Sequence, residues 1–330
     1  MDRFYINNTL LVNKLKQKGE MLEANKEHTS VVFREKKENI CIYYSIERDE
    51  NIKPLNMLDF LILDFAYSVY MDYDDYGGKF SVRQFIHAVM GTDKACSQKR
   101  IEKFTEEIEK LRNTRITIDY SEEMKSRYFK DDDYEEDEEN SYKIESVPLL
   151  PLEKIGKNKY EFISKPPLYT YAEEANRQIL SVPTELFYCR NVVKNTERNF
   201  LIKYALLHEL EVMRYVTTGN GRFKKWNVNK DIMYFKKSRR PSEADSGLLT
   251  QIDWCLDESE SDVIKSRSDI EDKIRTVVGL HTVKDITETI RKLFDEYYKN
   301  IDYIKSYEFL RRKEKGAVIG IKIKGRIENL

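Results

Sequence analysis

The sequence predicts an α+β fold in which a group of helices leads into a β-hairpin, and this order occurs twice. Three observations predict it. Apolar residues recur at helical spacing in long stretches such as Leu58, Leu61, Ile62, Phe65, Val69 and Ile286, Ile290, Leu293, Phe294, Tyr297. Strictly alternating runs follow, Ile116, Ile118, Tyr120 in one half and Ala317, Ile319, Ile321, Ile323 in the other. Capping residues and glycines (Ser97, Ser268, Thr282, Gly91 and Gly279) separate these segments where helices must start or stop.

Residues 1–28 read as a weakly amphipathic helix or arm, and Thr29–Phe33 with Ile40–Tyr44 read as a hairpin added to the edge of the next domain. Pro54 opens a helix with one apolar stripe, Leu58 to Val69. Ser81 caps a short helix ended by Gly91, and Ser97 caps a longer one with Ile101, Phe104, Ile108 and Leu111 inward. The strand Ile116–Tyr120 then starts a wing whose partner is displaced to Tyr142–Leu150. Between them Asp131–Glu139 holds eight acids and one Tyr. Such a run cannot pack and reads as a solvated wing tip; a sharper reading makes it a mimic of DNA. A further strand is expected at Lys159–Ile163. Pro166-Pro167 marks a boundary, and 168–195 a connector with a short helix.

Thr196 caps a helix with Ile202, Leu206, Leu210 and Met213 inward. The segment Gly221–Arg240 carries eight Lys/Arg, among them Arg222, Lys224, Lys225, Lys237, Arg239 and Arg240, against Asp231 alone. Its interleaved aromatics, Phe223, Trp226, Tyr234 and Phe235, read as mostly core, and its charge as a match for backbone phosphates. Residues 241–267 read as an insert. Ile270, Ile274, Val277 and Val278 then form a helix from Ser268 to the stop at Gly279. Thr282 caps the next helix, with Asp285 at the capping-box position. Two helices joined by so short a turn are a helix-turn-helix. Tyr303–Leu310, a polar turn Arg311–Gly316 and the alternating run to Ile323 make the hairpin. Helix, turn, helix, hairpin is the order of a winged helix.

Two winged-helix domains are therefore expected: a first at 53–165 with an acidic wing insert at about 121–141, and a second at 196–330 with an insert at about 241–267. Residues 1–52 form an arm and hairpin, and 166–195 a connector.

Charge is distributed unevenly. The 330 residues carry a formal net charge of −1, but residues 1–165 hold 27 Lys/Arg against 33 Asp/Glu, leaving 30 against 25 in 166–330. The positive half contains the last helix-turn-helix. There Lys284, Thr289, Arg291 and Lys292 lie off the apolar stripe, Arg311, Arg312, Lys313 and Lys315 sit at the hairpin tip, and Lys322 and Lys324 follow on its second strand. A cationic wing beside an exposed helix can hold phosphates while the helix enters the major groove.

Motifs for catalysis are missing. The four histidines, His28, His87, His208 and His281, form no metal-binding pair. Gly219-Asn220-Gly221 lacks the P-loop frame, and no GxSxG occurs. Asp72–Gly77 begins like a calcium loop, but its twelfth position is Arg83 where a bidentate Glu is required. Cys41, Cys96, Cys189 and Cys255 have no zinc spacing and read as reduced thiols. The expectation is a non-enzyme without cofactor or metal, cytoplasmic, with no membrane span or signal peptide.

The helix Leu55–Tyr70 followed by FSVRQFIHAVMG, the helix SQKRIEKFTEEIEKLRNTRITIDY and the hairpin YEFLRRKEKGAVIGIKIKG resemble the replication initiator proteins of theta-replicating plasmids from low-GC Gram-positive bacteria. The resemblance is architectural, over roughly 53–165 and 196–326. It implies two winged helices, binding of repeated origin sequences on double-stranded DNA, opening of AT-rich DNA, recruitment of host replication proteins, homodimers that repress and autoregulation. It also implies that the second domain supplies most specific contacts. That agrees with the helix Ser97–Arg112, whose Lys99, Arg100 and Lys103 stand beside Glu102, Glu106, Glu107 and Glu109, a poor surface for entering a groove. The other readings are a winged-helix transcriptional regulator or phage replisome organiser, and a protein-interaction scaffold that does not use DNA.

Overall fold

Helices and strands mix throughout the computed structural model, so the class is α+β. The structure describes residues 3–9, 11–12, 15, 29–35, 38–49, 52, 55–72, 78–90, 96–128, 142–176, 179–188, 199, 202–204, 206–208, 210, 216–218, 221–223, 232–234, 283–299, 303–304, 306–311 and 318–324. The chain divides into two compact units, one built on Arg3–Val89 and Asp93–Leu180, the other on Ser181–Leu330.

The first unit begins with strands β1 (Arg3–Asn7), β2 (Thr29–Glu35) and β3 (Glu38–Glu47). Helix α1 (Met57–Asp72), strand β4 (Lys79–Ser81) and helices α2 (Val82–Met90) and α3 (Gln98–Asn113) follow. Then come β5 (Arg115–Asp119), α4 (Ser121–Tyr128), β6 (Lys143–Pro148) and the hairpin β7 (Leu152–Gly156) and β8 (Lys159–Phe162). Helix α5 (Pro167–Tyr171) runs into a π-helical turn, Ala172–Asn176, and the connector continues as β9 (Ile179–Pro183) and α6 (Thr184–Tyr188).

Side-chain caps start the three long helices. Asn56 Oδ1 accepts from the Asp59 amide at 3.1 Å while Asp59 Oδ2 accepts from the Asn56 amide at 2.6 Å. Ser81 and Gln84 reciprocate in the same way at α2, at 3.2 and 2.9 Å. Ser97 Oγ accepts from the Arg100 amide at 3.3 Å, as its sequence position predicts. Each cap satisfies amides that have no partner within the helix, and each is worth about 1 kcal/mol.

Helix α1 departs from its single predicted stripe. Every residue from Leu58 to Val69 is buried, including Asp59, Asp64 and Ser68. The N-terminal strand explains this, since Arg3–Asn7 of the arm or helix expected over 1–28 is extended, while residues 11, 12 and 15 are helical. Phe4 packs against Phe65 with ring centroids 4.2 Å apart and the rings tilted by 38°. The amide of Tyr5 donates to Ser68 Oγ at 2.9 Å and that of Asn7 to Asp64 Oδ1 at 3.3 Å. From another side, Tyr169 donates to Asp64 Oδ1 at 2.7 Å and its ring stacks on Tyr67 at 3.6 Å. The polar residues of α1 thus find partners inside the unit, as buried polar groups must.

Two sheets complete the unit. One runs β2-β3-β5-β6, all antiparallel, so the hairpin of residues 29–47 does add to the edge of the next segment. The other runs β4-β8-β7. The two strands expected to pair across the acidic run have this setting: Ile116–Tyr120 and Tyr142–Leu150 do pair, but within the four-stranded sheet. The hairpin that pairs with the strand ahead of α2 is β7–β8. Strand β7 gives no alternating signal because Leu152 is its one buried residue. Residues 121–128 of the predicted insert form α4, with Glu123 buried and accepting from Tyr171 at 2.8 Å. The acidic run 131–139 lies outside the described residues.

In the second unit, residues 202–204, 206–208 and 210 are helical, with Ile202, Leu206 and Leu210 buried as their spacing predicts. A hairpin follows, β10 (Val216–Thr218) and β11 (Gly221–Phe223). Strand β12 (Ile232–Tyr234), helix α7 (Val283–Lys299) and strands β13 (Ser306–Arg311) and β14 (Val318–Lys324) come next. Their sheet runs β12-β14-β13, so the strand ahead of the helix again pairs with the last strand of the hairpin. The predicted helix from Ser268, its stop at Gly279 and the insert 241–267 lie outside the described residues.

Candidate nucleic-acid interface

Helix α7 buries Ile290, Leu293 and Phe294 completely, which turns Arg291 and Lys292 outward. Thr289 is half-buried, and Lys284 lies in the first turn. The stripe packs on one face of the sheet. Ile321 and Ile323, both fully buried, lie on that face of β14. The register sets Phe309 opposite Ile321 and Tyr307 opposite Ile323. Residues directly opposite share a face, so the two aromatic rings of β13 meet α7.

Three contacts hold helix and strand together. Phe294 and Tyr307 have ring centroids 5.0 Å apart. The Tyr307 hydroxyl donates to Asp295 Oδ1 at 3.0 Å. Burial, followed by that hydrogen bond, pushes the Tyr307 phenol up to about 12, so it remains a donor at neutral pH. The Arg291 guanidinium lies 5.5 Å above the centre of the Phe309 ring, and its Nη1 is 3.3 Å from Glu288 Oε2. The Arg291 side chain is nevertheless 45% exposed.

Arg311 ends β13 and is exposed, just beyond a register shift at Leu310/Arg311. Lys322 differs from the grouping the sequence suggests. It stands between the buried Ile321 and Ile323, so the two-residue period of a strand puts it on the reverse face, opposite Glu308. Lys322 and Arg291 therefore do not share a surface. Lys324 ends β14 opposite Ser306, and Arg222 lies in β11 opposite Thr217. Arg312, Lys313, Lys315, Lys224, Lys225, Lys237, Arg239 and Arg240 lie outside the described residues. Strand β12, inside the basic segment, escaped the sequence reading, as did the Asp295–Tyr307 bond. A three-residue strand gives no periodicity, and nothing in the sequence pairs residues twelve apart.

The equivalent surface of the first unit is organised by charge. On α3, Glu109 accepts from Tyr160 of β8 at 2.7 Å and from Lys154 of β7 at 2.9 Å, and it pairs with Arg112. Burial opposes its ionisation, but these donors outweigh burial and hold the carboxyl below the usual carboxylate range. Arg112 Nε also donates to the Leu152 carbonyl at 2.9 Å. Deeper in the unit, Lys110 Nζ is 2.6 Å from Asp59 and 3.2 Å from Glu107.

Among the described residues no group of His, Cys, Asp and Glu could hold a metal ion, and no helix is long and apolar enough to cross a membrane.

No protein-family model matches the chain, and no curated protein matches its sequence. Among solved structures, a crystal structure of domains 2 and 3 of RctB matches with a TM-score of 0.41 and 9% sequence identity. The match covers 94% of this chain and 97% of that one. A likeness at this level carries no argument about function.

Proposed function

We propose that the protein binds double-stranded DNA sequence-specifically through its second unit, as a plasmid or mobile-element replication initiator with no catalytic site of its own. The observation that carries the reading is the α7–β13–β14 assembly, in which a helix displays Arg291 and Lys292 beside a hairpin that ends in Arg311. A pairing common to both units supports a winged-helix reading of each: a short strand ahead of a helix, β4 or β12, pairs with the last strand of a later hairpin, although β5, α4 and β6 intervene in the first unit. On this reading the wings are β7–β8 and β13–β14, and α7 enters the major groove. Repeated origin sites, opening of AT-rich DNA, host replication proteins and a homodimer belong to the same proposal, and they rest on the resemblance of the sequence.

The test is a binding titration of the full chain against the DNA upstream of its own gene and a scrambled duplex, at two salt concentrations. Selective binding that weakens with salt is expected, with a footprint over repeated sites. Equal binding to both duplexes would reduce the protein to a nonspecific DNA binder. No binding at low salt would end the DNA reading. An origin-unwinding assay then separates an initiator from a regulator, which binds without melting DNA.

A further inference from the structure

The Arg291 side chain is held on two sides although it is close to half exposed. Phe309 lies beneath its guanidinium at 5.5 Å, and Glu288, one turn earlier on α7, pairs with Nη1 at 3.3 Å. Phe309 is itself fixed, since Tyr307 meets it edge-on at 5.6 Å with an interplanar angle of 90°. Tyr307 is fixed in turn by its hydrogen bond to Asp295 and its contact with Phe294. The row Asp295, Tyr307, Phe309, Arg291, Glu288 thus starts and ends on α7 and crosses β13 between. A free arginine loses much rotamer entropy when it binds. One already seated over a ring has lost part of it in advance.

We infer that Phe309 is a positioning residue that holds the Arg291 guanidinium for a pair of acceptor atoms on DNA. The inference rests on the DNA-binding reading above and adds the residue that orients the contact. A planar guanidinium offers two parallel N–H donors to two acceptors, which a lysine ammonium cannot do. Two sources supply such a pair, the O6 and N7 of guanine in the major groove and two oxygens of one phosphate. A ring beneath the guanidinium, with Glu288 at its edge, would restrict the orientation of the fork for either. Arg291→Lys keeps the charge and loses the fork. Phe309→Leu keeps an apolar side chain and loses the ring face, and Phe309→Tyr retains it.

The experiment uses the full chain and two duplexes, one enriched by the protein from a random-sequence pool and one scrambled from it. Arg291→Lys is expected to lose affinity for the enriched duplex within about twofold of Arg291→Ala, on the order of tenfold for a bidentate contact. Phe309→Leu is expected to lose roughly threefold to tenfold, to regain it as Phe309→Tyr, and to have no further effect in the Arg291→Lys background. A loss confined to the enriched duplex with an unchanged salt slope assigns the contact to guanine. A loss on both duplexes, with the slope lowered by about 0.9 in Arg291→Ala, which removes the charge, assigns it to a phosphate. Wild-type affinity in Arg291→Lys overturns the inference, and this surface change leaves the fold intact even if Phe309→Leu does not fold. A Phe309→Leu effect that persists in the Arg291→Lys background overturns it too, because the ring then serves only packing. Either result leaves the DNA reading standing. Failure of the unaltered chain to enrich any duplex overturns both.

Discussion

Helices α3 and α7 occupy equivalent places in their units, each ahead of a hairpin whose last strand pairs with the strand before the helices. Both helices take a hydrogen bond from a hairpin tyrosine, Tyr160 to Glu109 and Tyr307 to Asp295. They differ in how they use their cations. In the first unit Lys110, Arg112 and Lys154 are engaged with Asp59, Glu107 and Glu109. In the second, Arg291 lies on the rim of an aromatic cluster and pairs with the exposed Glu288, yet its own side chain stays 45% exposed. A count of charges along α3 and α7 would miss this. What matters for a polyanionic partner is which cations the fold has already neutralised.

The comparison can be broken most severely at Lys110. Its side chain is 10% exposed and that of Asp59 is fully buried, so Lys110→Met leaves the Asp59 carboxyl buried without its cation, and well above neutral pH it must stay charged there. A loss of about 3–5 kcal/mol in urea unfolding is expected. Such a loss with unchanged DNA affinity at low temperature would confirm that the charge is structural. A result near zero would mean the pair is not formed.

Next in size is the paired change Arg311→Ala/Arg312→Ala in the second unit. If both touch phosphates, the slope of log affinity against log salt falls by about 1.8, twice the single-contact value of about 0.9. The matching change in the first unit, Lys154→Ala, is expected to leave that slope unaltered. A slope change there would show that the first unit also faces DNA.

A pH titration sharpens the comparison further. Burial raises the Asp59 carboxyl from its ordinary 3.8 to about 7, against the pull of Lys110, and Oδ1 of Asp59 has no partner. The folded state therefore binds this proton more tightly than the unfolded chain does. Stability from this group is greatest below about pH 4 and declines as pH rises to about 7, the reverse of an exposed salt-bridged carboxylate. Asp59→Asn should flatten that part of the profile, and an unchanged profile would place the titration elsewhere.

Smallest are the two tyrosine hydroxyls. Tyr160→Phe and Tyr307→Phe each remove one hydrogen bond to a carboxylate, at a cost of about 1–2 kcal/mol. Their thermal shifts should be similar despite the different settings. A much larger shift for Tyr160→Phe would show that the charge network of the first unit depends on that hydroxyl.

Much of this architecture is legible in the sequence. Helix α3 was legible because Ser97 caps it and Ile101, Phe104, Ile108 and Leu111 keep one register. Strands β5 and β14 were legible because an isoleucine at every second place is hard to read otherwise. The stripe of α7 and the outward position of Arg291 followed from the same periodicity. Legibility failed where tertiary contacts decide. Strands β4 and β12 are three residues long and exist only because a distant strand pairs with them. Strand β7 shows a single buried residue, so periodicity does not reveal it beside the alternating β5. Helix α1 has acids on buried faces because Asn7, Asn56, Lys110 and Tyr169 answer them, and no local pattern reports such partners. Nor does spacing show that Lys322 faces away from Arg291, since this depends on the position of β14 in the sheet.

The strands β4 and β12 have one more consequence, for the way the chain folds. Strand β4 ends at Ser81 and waits for β8, which starts at Lys159; β12 ends at Tyr234 and waits for β14, which starts at Val318. Because the entropy of closing a loop grows only with the logarithm of its length, the inserts on these paths cost little at equilibrium, about 0.6 kcal/mol for each doubling. They cost time instead, because such distant pairings slow folding. On a ribosome each unit must carry an unmatched strand until its final hairpin has emerged. Lengthening the segment between Asp119 and Lys143 should therefore slow refolding of the first unit far more than it lowers its melting temperature.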